Sequence, residues 1–110
     1  PAITGIANVD SVNISEAMWF RIGQVVKVTG NVSIDTTAAS TETTVSISLP
    51  IPSDMVDNAQ LGGVAVSRHV DHPAASIIGD AATDTARMSF KAPNTSGTAW
   101  WFDFSYRMRG

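Results

Sequence analysis

Strict alternation of apolar and polar residues is the feature that most constrains how this chain can fold. Residues 26–34, VKVTGNVSI, place β-branched side chains at even positions and polar side chains at odd positions, except at Gly30. A period of two with β-branched residues predicts a half-buried strand, because successive side chains point to opposite faces of a sheet. Gly30 interrupts the apolar side and indicates a β-bulge or a close backbone approach.

The same period recurs along most of the chain and predicts about eight strands, separated by turn-forming residues. Gly23 and Gln24 form a tight hairpin turn between two of them. Residues 53–60, SDMVDNAQ, support at most one helical turn, with Ser53 as its cap and Met55, Val56 and Ala59 facing inward. This spacing is typical of an all-β antiparallel sandwich or jelly roll within one domain, residues 1–110. The predicted strands are 9–14, 18–22, 26–34, 44–49, 63–69, 75–80, 87–92 and 99–108.

The last strand, AWWFDFSYRM (residues 99–108), holds five of the chain's eight aromatic residues. Its even positions are all apolar and predict a core face, because each buried aromatic removes about 150–250 Å² from water. Its odd positions are Trp101, Asp103, Ser105 and Arg107. A carboxylate such as Asp103 must be paired or face solvent, and we expect a structural ion pair with Arg107 or Arg21.

Composition excludes several classes of function. The formal net charge of −3 with scattered basic residues argues against nucleic acid and anionic membranes as partners, since both favour a basic patch. The chain has no cysteine, so disulfides and thiolate metal sites are excluded. No apolar run approaches the roughly 20 residues of a membrane-spanning helix.

Catalytic and cofactor motifs are absent from the sequence. It has no phosphate-binding glycine loop and no nucleophile elbow. Residues His69, Asp71 and His72 form the cluster HVDH, but no second cluster supports a zinc site, and a polar loop is the favoured interpretation. The sequence therefore predicts a protein that is not an enzyme and binds no metal or cofactor.

Two tryptophans are left without a role in the predicted core. Trp101 and Trp19 each lie beside an aromatic residue that the alternation assigns to the core, and both have arginine neighbours in sequence. Tryptophan and arginine are enriched at protein interfaces, and exposed aromatic planes also bind sugars. The sequence leaves open an oligomer interface and a carbohydrate-binding surface.

Several motifs resemble the C-terminal domains of tail-fibre and tail-needle proteins of tailed bacteriophages. They are WFRIGQVVKVTGNVSID at residues 19–35, TVSISLPIPSDM and GGVAVS further on, and the closing segment DTARMSFKAPNTSGTAWWFDFSYRM. The resemblance implies a compact jelly-roll knob, like that of tumour necrosis factor, at the distal tip of a longer homotrimeric fibre or needle. It also implies a virion protein, made in the bacterial cytoplasm, that contacts the host surface during adsorption or penetration.

Within that resemblance we predict a trimer interface and receptor-facing loops. The host partner would be a surface glycan or an outer-membrane component, and we expect neither nucleic-acid binding nor membrane insertion by this domain.

Two alternatives remain, a carbohydrate-binding module with Trp101 or Trp19 as sugar platform and a purely structural capsid or collar element. The predicted interface residues are Trp19, Arg21, Trp101, Asp103 and Arg107. The predicted receptor-facing loops are 35–42 and 69–74, with Asp35, Glu42, His69, Asp71 and His72 as candidate contacts.

Overall fold

A computed structural model of the chain describes residues 2–67, 74–92 and 98–108. These residues form eight strands and one short 3₁₀ turn at Asn58–Gln60. No helix within these ranges has the length and apolarity that a membrane crossing requires. The strands are β1 (Ile3–Ala7), β2 (Val9–Ile22), β3 (Val25–Thr36), β4 (Glu42–Ser48), β5 (Leu61–Ser67), β6 (Ala75–Asp80), β7 (Thr85–Lys91) and β8 (Thr98–Arg107).

All eight strands belong to one antiparallel sheet with the order β1-β4-β7-β6-β5-β8-β3-β2. Its two outer strands, β1 and β2, approach each other, since a Cβ at Gly5 would lie 2.9 Å from Cβ of Val9. The sheet is thus nearly closed around its inner face. The predicted all-β class with about eight antiparallel strands is confirmed.

The even positions of β3 and β8 supply the centre of the core, as the alternation predicts. Trp100 is 1% exposed, and its ring centroid lies 4.4 Å from that of Phe90 on β7. Phe102 and Phe104 are fully buried next to it. The side chains of β3 on this face, from Val26 to Ile34, are buried against the same rings.

Gly30 occupies the one position of β3 where the core face has no room for a side chain. A Cβ at this position would lie 2.8 Å from the Phe102 ring and 2.5 Å from the Glu16 carbonyl oxygen. The close backbone approach predicted from the sequence is confirmed. The predicted Gly23-Gln24 hairpin turn is also confirmed, with Gly23 at φ +61° between β2 and β3.

Strand β2 is where the sequence interpretation was wrong. The two segments interpreted as separate strands, 9–14 and 18–22, are one strand of 14 residues. The pairing with β3 shifts between Ile14 and Glu16, so that Ser15 is an extra residue in a β-bulge. Val12 and Ile14 face the core before this bulge, whereas even-numbered residues after it face outside. Phe20 is therefore on the outer face, 51% exposed, and not in the core. The alternation also missed β1.

The segment between β4 and β5 is held to the core by polar contacts. The Tyr106 hydroxyl donates to the Ile51 carbonyl (2.7 Å) and accepts from the Ile51 amide (3.3 Å). Burial raises the pKa of Tyr106 above 10.0, and the negative charge of Asp84 raises it further. The buried Ser53 hydroxyl bonds the Asp84 carboxylate.

The single helical turn predicted for this segment is confirmed, but its details differ from the prediction. Asp57 caps it, with its carboxylate accepting from the Ala59 amide (3.0 Å), so the cap is not Ser53. Val56 and Ala59 were predicted to face inward, but both are exposed, Val56 by 84%.

Candidate interaction surfaces

The outer side of strands β2, β3, β8, β5 and β6 carries an unusual concentration of apolar side chains. Of eleven large apolar side chains that are exposed among the described residues, eight lie on these five adjacent strands and on this side. The register places several of them side by side, for example Ile22 beside Val25 and Val66 beside Trp101. We call this surface the outer apolar face; its members are Met18, Phe20, Ile22, Val25, Val64, Val66, Ile78 and Trp101.

The outer apolar face is formed by side chains that are exposed to a large degree. Each of its eight side chains is about half exposed or more. They are distributed over five neighbouring strands, with polar side chains such as Lys27 and Asp103 between them. Exposed apolar residues grouped on one side of a sheet are typical of interaction sites.

Two pairs of polar groups lie within the outer apolar face. The Lys27 ammonium lies 3.4 Å from the Asp103 carboxylate, so the ion pair expected at Asp103 is confirmed with Lys27 as partner in place of an arginine. The Asn31 side-chain amide donates to the Glu16 carboxylate at 3.2 Å. Paired polar groups among apolar side chains are compatible with burial under a partner, because burial of a paired group costs less than burial of an isolated charge.

A shallow depression of about 150 Å³ lies beside Trp101 on this face. Met18, Thr29 and the Glu16 side chain contribute to its walls, and Ala17 and Gly30 also line it. An indole next to a carboxylate and an amide offers both a stacking plane and hydrogen-bonding groups. This combination is what a sugar ring would use.

Trp19 and Arg21 lie on the other side of β2 from the outer apolar face. In the register Trp19 stands opposite Val28 and Arg21 opposite Val26, both core residues of β3. Val28 is completely buried, whereas Trp19 is 45% exposed, because β2 is an outer strand and the nearby β1 is only five residues long. The Arg21 Nε donates to the Gly23 carbonyl at 2.7 Å.

The five residues predicted for a subunit interface are therefore divided between two surfaces. Trp101, Asp103 and Arg107 share the outward side of β8, where Trp101 is 45% exposed. Arg107 lies 3.4 Å from the Asp54 carboxylate and donates to the Gln24 side chain. Alternation alone could not separate the surfaces of Trp19 and Trp101, since the side of Trp19 is set by its pairing with Val28 across the Gly23-Gln24 hairpin. Their role in an interface stays a prediction.

The predicted recognition loop at 35–42 is located at one end of the sheet, which we call the loop end. Asp35 and Glu42 lie in β3 and β4, and residues 37–41 connect these strands. The Asn8 side chain holds this connection by donating to the Ala38 carbonyl and accepting from its amide, both at 2.8 Å. The strand ends at Ser67 and Ala75 lie at this same end, because all strand pairs are antiparallel.

The candidate contacts His69, Asp71 and His72 lie outside the described residues. Within residues 2–67, 74–92 and 98–108, no three histidine, aspartate or glutamate side chains form a group that could hold a metal ion. Ala2 lies at the opposite end of the sheet from the loop end, where its amide donates to the Ser48 hydroxyl at 2.7 Å.

Comparisons of this chain with models of known protein families, with curated proteins and with solved structures find no match.

Proposed function

We propose that this chain is the tip domain of a bacteriophage tail fibre or tail needle, working as a homotrimer with a jelly-roll knob that contacts the host cell surface. The observation that carries the proposal is the outer apolar face, a group of eight exposed apolar side chains on a domain whose sequence motifs resemble such tips. Copies of the same chain would cover this face. Two pairs of sheet neighbours that are distant in sequence, β3–β8 and β4–β7, are pairs that a jelly roll also contains.

The arrangement of the two ends supports the same function. Residues 37–41 are at the loop end, whereas Ala2 and Ser48 are at the other end. A stalk joined before residue 1, as in the fibre proteins that the sequence resembles, would connect at the end opposite to the loops. The loop end would then be distal and available to a glycan or an outer-membrane component of the host.

Two measurements on the purified chain test this proposal. Sedimentation equilibrium at micromolar concentration is expected to give three times the monomer mass, and labelled protein is expected to adhere to some strains of a bacterial panel. Substitution of the side chains of residues 37–41 should remove adhesion to the bacteria and leave the trimer intact. A monomer at micromolar concentration would contradict the trimer, and a trimer that adheres to no strain would favour a purely structural virion element.

A carbohydrate-binding module is the second candidate, and the depression beside Trp101 favours it. The exposed indole, with Glu16 and Asn31 next to it, offers a sugar platform on the molecule. Binding on a glycan array that disappears with Trp101→Ala and persists with Trp19→Ala would support this candidate. Such binding by a monomeric protein would favour the module over the trimeric tip.

A further inference from the structure

The exposed apolar surface does not end with the outer apolar face but continues around the free edge of β2. In residues 17–22 the outward side chains Met18, Phe20 and Ile22 alternate with Trp19 and Arg21 on the reverse side. All five of these side chains are exposed. Beyond β3, no other described strand pairs with β2.

This edge lacks the features that usually protect an outer strand from pairing with other chains. Natural edge strands are blunted by proline, by charges or by bulges that turn the edge away. Residues 17–22 contain no proline and a single charge, that of Arg21, and the bulge at Ser15 lies before them. The segment therefore has the character of a binding edge.

We infer that Trp19 and Arg21 at this edge bind the outer apolar face of the next copy in a closed ring. The inference rests on the proposed homotrimer and specifies how its copies meet. Trp19 would pack against the part of the face around Val64 and Trp101. Each copy then presents its edge to one neighbour and its face to the other.

Symmetry favours this arrangement over a contact of the face with itself. A twofold contact uses one patch twice, so it would cover the outer apolar face and leave Trp19 in solvent. A head-to-tail contact joins two different patches and closes into a ring when the rotation permits. Because the exposed apolar surface lies on two sides of β2, a ring covers both parts.

The charges at the two surfaces agree with such a contact. Among the described residues Arg21 takes part in no ion pair. The outer apolar face near Trp101 carries two carboxylates, Glu16 and Asp103, and one ammonium, Lys27. The arginine of one copy would thus meet a surface with an excess of negative charge on the next copy.

Complementing variants distinguish this arrangement from the alternatives. Trp19→Lys disables the edge and Val64→Lys disables the face, and each variant alone is expected to sediment as a monomer. An equimolar mixture should form a 1:1 dimer, because one copy retains an intact face and the other an intact edge. If the wild type is trimeric and Trp19→Lys is also trimeric, the inference is overturned. A mixture of the two variants that stays monomeric overturns it as well. In both cases the proposal of a homotrimer is not affected. A monomeric wild type overturns both.

Cross-linking provides a second test that does not depend on disrupting the fold. The chain has no cysteine, so Trp19→Cys and Val64→Cys introduce single reactive thiols. With a short bismaleimide, the mixture of the two variants should yield a covalent dimer, and the double variant a covalent trimer. Efficient cross-linking of Val64→Cys alone would show a contact of the face with itself and would overturn the inference. Circular dichroism of each variant checks that the sheet is retained.

Discussion

The Lys27 ammonium and the Asp103 carboxylate lie 3.4 Å apart across the β3–β8 boundary, in the middle of the outer apolar face. Both side chains are partly exposed in the single chain, so solvent screens their attraction. In an assembly that covers the face, the same pair would be buried. The ion pair therefore contributes differently to the free energy of folding of one copy and to the free energy of association of several copies.

Asp103→Asn separates these two contributions. The free energy of unfolding of a monomeric background, such as Trp19→Lys, should change by less than about 1 kcal/mol, as for other exposed ion pairs. Association of the otherwise wild-type chain should weaken about tenfold or more, because Lys27 would be buried without its partner. Urea unfolding measures the first quantity and sedimentation equilibrium the second. Equal association constants for the two proteins would contradict burial of the pair.

Trp100 and Trp101 are neighbours in sequence with opposite environments, and they form a matched pair for mutagenesis. Trp100→Ala should lower the free energy of unfolding by about 3–5 kcal/mol, because it leaves a cavity in a packed core. Trp101→Ala should change it by less than about 1 kcal/mol in the monomeric background and should weaken association in the otherwise wild-type chain. Denaturant titrations of both variants check the difference. Similar losses of stability would mean that Trp101 is also part of the core.

The regular parts of the fold follow from the sequence, and the two strand features that do not follow have physical causes. The core face of β8 is set by unbroken alternation, so Trp100 and Phe104 could be assigned from residue order alone. The bulge at Ser15 leaves no mark in the hydrophobic pattern, since apolar residues occupy even positions on both sides of it. Asp103 pairs diagonally across the sheet with Lys27, which depends on a strand order that local sequence does not specify.

Gly30 and Gly62 provide a test of the packing between β3 and β8. Gly30→Ala should lower the free energy of unfolding by about 1–3 kcal/mol, because the new methyl group would collide with the Phe102 ring and the Glu16 carbonyl. Gly62→Ala is the control, since nothing lies within 4 Å of a Cβ built there. It should be neutral or slightly stabilising, because alanine loses less backbone entropy on folding. Equal effects of the two substitutions in urea unfolding would contradict the close approach at Gly30.

Tyr106 is the only tyrosine of the chain, so its ionisation can be followed directly by ultraviolet absorbance. Burial raises its pKa above 10.0, and the titration midpoint of the folded protein should lie above that of the urea-unfolded chain. A raised pKa means that the protonated form is stabilised by folding. Its contribution to stability is complete below pH 10 and is lost as the pH rises through the higher pKa of the folded state.

Tyr106→Phe tests the same group through its hydrogen bonds. The substitution removes the hydroxyl and leaves the Ile51 carbonyl and amide without this partner, which should cost about 1–3 kcal/mol at neutral pH. Above pH 10 the free energy of unfolding of the wild type should fall faster than that of the variant. The difference between the two free energies of unfolding should therefore become smaller. Urea unfolding at pH 7 and at pH 11 measures both effects. A difference that is constant between the two pH values would contradict the raised pKa, because it would mean that Tyr106 titrates alike in the folded and unfolded states.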